Sequence, residues 1–201
     1  RADRCRLNTG TERMNKKHLA AYAAVAALFG VMGAVVALYK KAPAPASPQI
    51  STTAGAGAVT NAVTNLYAQS LNNLAGEPQP LAQWKGKPLL VNFWATWCGP
   101  CVQEMPELSH LAGEDKGKHF NVIGIGIDSP TNMSEFAAKH QIAYPLYVAG
   151  MGGTELSKEL GNTMGGLPYT VLIGADGQVL KTYIGKLKFD ELRADLAKLN
   201  G

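Results

Sequence analysis

Hydrophobic positions in the 201-residue chain fall into three patterns, and each predicts a different element. From His18 to Tyr39 the residues are apolar or small without interruption, about 20 in a row, enough for a helix to cross a bilayer. Short apolar runs predict buried strands at Pro88–Ala95 (P-L-L-V-N-F-W-A) and at Phe120–Asp128, where Val and Ile alternate with Gly. Tyr169–Ile173 and Gln178–Ile184 predict two more, joined through Gly174-Ala175-Asp176-Gly177 as an Asp-Gly hairpin. Helical spacing occurs at Val102, Met105, Leu108 and Leu111, and again at Phe189, Leu192, Leu196 and Leu199.

Weaker signals fill the gaps. Leu66–Leu71 predicts a first strand, Asn72–Gly76 a turn, and Gln79–Gln83 the approach to a short helical turn ending near Gly86. Asn132, with Glu135 three residues on, predicts the cap of a helix running to Gln141. Tyr144–Val148 reads as a short strand, and Thr154–Leu160 as a helix ended by Gly161. Pro106 predicts a kink in the helix that carries it. Strand–helix–strand followed by hairpin–helix is the signature of an α/β fold with a central mixed sheet and helices on both faces.

The same patterns divide the chain. Residues 1–17 predict a cytoplasmic tail, of which 1–13 precede Met14 without periodicity and read as an upstream extension. Residues 18–39 predict a transmembrane anchor, and 42–65, rich in Ala, Pro, Ser, Thr and Gly, a flexible linker. Residues 66–201 predict the folded domain. A cleaved signal peptide competes with the anchor, with Ala44-Pro45-Ala46 as a weak cleavage site. The apolar run, however, is longer than a signal peptide needs, and Lys40-Lys41 intervenes. A core helix is disfavoured because the run is apolar on all sides.

Charge changes the picture only at the N-terminus. Lys and Arg number 19 against 15 Asp and Glu, a net charge of +4. Residues 1–41 carry eight Lys/Arg against Asp3 and Glu12, so the remainder is slightly acidic and offers no basic surface for nucleic acid. More positive charge precedes the apolar run than follows it, which predicts a cytoplasmic N-terminus with the folded domain outside.

Candidate chemistry lies in Trp94–Pro106, W-A-T-W-C-G-P-C-V-Q-E-M-P, which holds two of the three cysteines. Cys98 falls where a strand ends and a helix begins. There, free N–H groups and the helix dipole favour a thiolate and lower the thiol pKa. Cys101, one turn into the helix, is shielded but close enough to form a disulfide with Cys98. Gly99 is expected to allow a tight turn, and Pro100 suits a first helical turn, where its missing N–H costs nothing. The competing readings are two inert thiols or half of a zinc site. Zinc needs further ligands; Cys5 lies beyond the apolar span, and His110 and His119 lack the usual spacing.

The pattern N-F-W-A-T-W-C-G-P-C-x-x-E-x-P resembles the TlpA/ResA-like branch of thioredoxin-fold thiol–disulfide oxidoreductases, which are membrane-anchored. The resemblance covers about Leu66–Leu199 and implies a thioredoxin fold with an N-terminal hairpin and a central insertion. It implies that Gly165–Thr170 is the cis-proline loop. In that loop Pro168 lies against the cysteines and Leu167 offers backbone groups to an extended peptide. Trp97, Gly99 and Pro100 support the pair. Asn92 occupies the place where many thioredoxins have a buried Asp. Glu104 matches the acid of the branch motif, and the resemblance gives it the proton relay to Cys101, helped by a raised pKa. Glu107 reads as a surface residue.

The implied activity is disulfide reduction on the periplasmic side of a bacterial inner membrane. It would act on protein substrates, such as the cysteines of cytochrome c biogenesis or of copper sites. The implied partner is a membrane electron donor, and no cofactor is needed beyond the Cys98–Cys101 disulfide, nor any metal. Two alternatives stand beside it. A peroxiredoxin-like peroxidase would need a P-x-x-x-T-x-x-C arrangement, absent before Cys98. A copper chaperone would need a further soft ligand, for which Met164 is the weak candidate.

Overall fold

The structure, a computed structural model, describes residues 53–200. The apolar run at 18–39 lies outside them; no helix among the described residues is long and apolar enough to cross a membrane. The elements, in chain order, begin with helix α1 (Thr53–Ala68), strands β1 (Ser70–Asn73) and β2 (Pro78–Pro80), and a helical turn at Leu81–Trp84. Strand β3 (Leu89–Trp94) leads into helix α2 (Gly99–Asp115) and strand β4 (Asn121–Gly126). Helix α3 (Pro130–His140), strand β5 (Leu146–Val148) and helix α4 (Gly152–Glu159) follow. Strands β6 (Tyr169–Ile173) and β7 (Val179–Ile184) and helix α5 (Phe189–Ala197) complete the fold.

The strands form one mixed sheet in the order β2-β1-β5-β4-β3-β6-β7. β3 runs parallel to β4 and antiparallel to β6, with Asn92 opposite Thr170 and Phe93 opposite Tyr169. Every residue of β3 is buried, as a central strand covered on both faces must be. Alternation sends Leu89, Val91 and Phe93 to a core with Val63 and Leu66 of α1 and Leu156 of α4. Leu90 and Trp94 go to the opposite core, with Met105 and Leu108 of α2, Met133 of α3 and Leu192 of α5. Asn92 falls on this second face, among apolar neighbours.

Two glycines of β4 make that face fit. A Cβ at Gly124 would stand 2.5 Å from Leu146 Cδ2 and 3.1 Å from Trp94 Nε1; one at Gly126 would overlap the thioether of Met133. The alternation of Ile with Gly therefore gives one bulky face and one hollow face, which Trp94 and Met133 fill.

Three expectations need correction. The linker expected over 42–65 gives way to α1 from residue 53, its residues 42–52 and the expected tail 1–17 lying outside the described residues. The strand expected over Leu66–Leu71 gives way to the end of α1 and a first strand that starts at Ser70. Ala62, Val63, Leu66 and Tyr67 recur at helical spacing and are buried, so a segment of linker-like composition is held as a helix by its one apolar stripe. The cap of α3 is Ser129, whose Oγ accepts from Asn132 N at 3.2 Å; Asn132 is already inside the helix. α2 carries Pro106 within one continuous helix.

Candidate active site

β3 ends at Trp94, and four residues later Cys98 caps α2 with extended backbone angles. Its Sγ accepts from Cys101 N at 3.3 Å, a contact that favours a thiolate once the pair is reduced. Cys98 and Cys101 are joined as a disulfide with Cα atoms 5.3 Å apart. Cys98 is 6% exposed and Cys101 fully enclosed, so the two sulfurs are not equally reachable. Pro100 stands in the first turn of α2, as its missing N–H predicts. Gly99 has helical backbone, no positive φ, and nothing within 4 Å of where a Cβ would be. The tight-turn role expected of it is not what the structure shows. Trp97, beside the pair, is 69% exposed.

The strand-to-helix connection is fixed from the loop after β4. Asp128 accepts from Thr96 N at 3.0 Å, from the Thr96 hydroxyl, from Ser129 N and from Asn132 Nδ2. Burial opposes its charge, but these donors prevail and hold the carboxyl below the usual range. The Leu167–Pro168 bond is cis. Because β6 starts right after it and pairs antiparallel with the end of β3, the loop reaches the same end of the sheet as the cysteines. Neither backbone group of Leu167 has a hydrogen-bond partner among the described residues.

Glu104, one turn beyond Cys101, is fully enclosed. Its Oε1 accepts from Asn92 Nδ2 at 2.9 Å and its Oε2 from Leu187 N at 2.8 Å. Burial raises its pKa to about 7, against the two hydrogen bonds and the charge of Lys186, which pull it down. Asn92 Nδ2 also donates to Thr170 Oγ1 at 3.0 Å. Tyr144 is buried nearby; burial, then the charge of Glu104, pushes its phenol well above the usual range. A carboxyl that titrates near neutrality behind a disulfide can take and return a proton. Glu107 is half exposed and pairs with Arg193 at 3.0 Å. His119 pairs with Asp115 and His110 with Glu114, both on the surface, and Met164 is almost wholly exposed. Among the described residues no group of three or more His, Cys, Asp or Glu side chains could hold a metal.

Thr170, Leu187, Asp128 and Tyr144 were not legible as site residues. Thr170 could have been found from the pairing of β3 with β6, which sets it opposite Asn92. Leu187 acts through its main-chain N–H, which no side-chain pattern reveals.

A mixed sheet flanked by helices, with a Cys-x-x-Cys disulfide at a helix start and a cis-proline loop beside it, defines a thioredoxin-type dithiol protein. The family model for redoxins matches residues 42–196. The chain is 32% identical over 130 residues to the thiol-disulfide oxidoreductase ResA of Bacillus anthracis, covering 64% of this chain and 73% of that protein. Among solved structures, a thioredoxin-related protein from Neisseria meningitidis serogroup B has a TM-score of 0.58 at 31% identity, covering 65% of this chain and 98% of that one. A thiol:disulfide interchange protein from Chlorobium tepidum TLS has a TM-score of 0.60 at 25% identity, covering 66% and 93%. The chain belongs to the redoxin family, in its TlpA/ResA-like branch, and is a thiol–disulfide oxidoreductase.

Proposed function

We propose that this oxidoreductase is a membrane-tethered reductase of protein disulfides, facing the periplasm from the inner membrane. The observation that carries the reading is the unequal burial of the pair, Cys98 with a small exposed area and Cys101 fully enclosed one turn before Glu104. In the reduced protein the Cys98 thiolate attacks a substrate disulfide, forming a mixed disulfide and releasing one substrate thiolate. Cys101 gives its proton to Glu104 and attacks Cys98 Sγ, which frees the second substrate sulfur as a thiolate and closes Cys98–Cys101. Two electrons pass from the pair to the substrate, and a membrane electron donor restores them. The dithiol exchange requires no prosthetic group or metal.

Gly99-Pro100 between the cysteines, shared with thioredoxin, supports the reductase direction. The apolar run at 18–39 and its positive flank support the tether and its orientation. The unpaired backbone of Leu167 supports strand-like docking of an extended peptide. Cytochrome c and copper-site thiols are the substrate class that the branch implies.

Cys101→Ser in the full chain is expected to accumulate mixed disulfides with substrate proteins, recovered with membranes, whereas Cys98→Ser traps few. Equal trapping by the two variants would refute the assignment of Cys98 as attacker.

A further inference from the structure

The enclosed side chain of Asn92 leaves one polar atom over. Its Nδ2 donates both to Glu104 Oε1 and to Thr170 Oγ1, while its Oδ1 has no hydrogen-bond partner. The second oxygen of Glu104 faces the N–H of Leu187. Both carboxyl oxygens thus meet donors, an arrangement suited to the ionised form. When Glu104 takes up a proton, its new O–H needs an acceptor. The Leu187 N–H is main chain and cannot reverse. The Asn92 amide can: half a turn about its last bond presents Oδ1 to Glu104 and to Thr170. The Thr170 hydroxyl then donates where it had accepted.

The other charged or titratable neighbours make no hydrogen bond to Glu104. Lys186, on the loop after β7, contributes positive charge only. Tyr144, before β5, is coupled to Glu104 through charge, and its hydroxyl has no hydrogen bond. Cys101, on α2 itself, is the proton's source and not its anchor, and Cys98, which caps α2, reacts as a thiolate.

We propose that Asn92 and Thr170 form a reversible hydrogen-bond switch that holds Glu104 in both protonation states. Asn92 Nδ2 donates to the carboxylate, Asn92 Oδ1 accepts from the carboxylic acid, and the Thr170 hydroxyl inverts with it. Asn92 is a positioning residue, and the inference rests on the reading of Glu104 as the proton relay. In the resolving step the proton leaves Cys101 Sγ and bonds to Glu104 Oε1 as the amide turns. When the proton departs, the amide turns back, and no electron moves in the switch. The proposal also accounts for Asn in place of Asp at this position. A second carboxyl within hydrogen-bond distance of Glu104 would share one proton with it and split the titration in two.

The test follows the side-chain amide signals of Asn92 and the carboxyl carbon of Glu104 by NMR, in the full-length reduced protein, across neutral pH. Both are expected to move with one midpoint. Thr170→Val, which removes the hydroxyl and keeps the shape, is expected to shift the midpoint of the pH–rate profile by at least about half a pH unit, and Thr170→Ser to restore it. Amide signals that stay still while Glu104 titrates, or a Thr170→Val profile equal to wild type, would overturn the switch. Glu104→Gln separates the two readings. A wild-type rate in that variant sinks the relay and the switch together. A slow Glu104→Gln combined with an Asn92 amide blind to Glu104 sinks the switch alone.

Discussion

Burial separates Glu104 from the other acids of α2. Glu107 and Glu114 reach solvent and pair with Arg193, while Glu104 is enclosed and held by Asn92 and the Leu187 N–H. The consequence for stability has a definite sign. A carboxyl whose folded pKa stands near 7 favours the fold in acid, and that contribution is lost as pH rises from the ordinary carboxyl range to about 7. The loss across this window is up to roughly 3 kcal/mol, at about 1.4 kcal/mol for each tenfold difference in proton affinity between the folded and unfolded chain. Glu104→Gln removes the ionisable group and should flatten that slope, so the variant gains on wild type as pH rises in urea unfolding. The same variant should reduce a substrate disulfide at least roughly tenfold more slowly, since a positioned proton carrier is worth on the order of 10²–10⁴-fold. A variant that is stable yet slow isolates the proton from the fold; equal rates at every pH would make Glu104 a packing residue only. In the sequence, its place in the motif E-x-P was legible, and so was the absence of an acid at position 92. The partners were not, because Thr170 and Leu187 lie 78 and 83 residues from the groups they meet.

At the scale of elements, periodicity read well wherever burial was two-sided or strictly one-sided. The continuous apolar run of β3, the Ile–Gly alternation of β4 and the stripe of α2 all gave the right element, because the packing they need is written in consecutive residues. The cap of α3 was misplaced because Asn132 and Ser129 are both good capping residues, and only backbone geometry chooses between them. β4 supplies a prediction of its own. Gly126 faces the fully enclosed Met133, and the space a Cβ would take is filled by its thioether. Gly126→Ala is expected to cost roughly 1–3 kcal/mol in chemical denaturation, the range for overpacking a close-packed interior. Shortening Met133 to Val in the same chain should recover part of that loss, since the two residues share one space and must couple. Strictly additive destabilisation by the two changes would show that the clash is relieved elsewhere.

For the whole molecule, the question is where the folded unit begins. Composition placed the boundary at residue 66, because Ala, Gly and Thr fill the preceding segment and carry no charge or strong periodicity. The structure instead gives α1 from Thr53, with Ala62 and Val63 buried one turn before Leu66 and Tyr67. A helix of this composition is marginal alone, so its order must come from packing on the sheet. A fragment of residues 66–201 would lose Ala62 and Val63 outright. It would keep Leu66 and Tyr67 on a remnant of Leu66–Ala68 too short to stay helical. Full burial of one large apolar side chain is worth about 1.5–3 kcal/mol, so the loss should be on the order of 4 kcal/mol. Set against a typical stability of about 5–15 kcal/mol, that is a large fraction. The fragment 66–201 is therefore expected to unfold at clearly lower urea than 53–201, with a smaller dependence on denaturant because less surface is buried. The cysteines belong to the core on the opposite face of the sheet from α1. Disulfide exchange by the folded fraction should accordingly match between the two fragments at low denaturant. Equal midpoints for the two would mean that α1 adds nothing to the fold and that the domain begins at the strand, as its composition suggested.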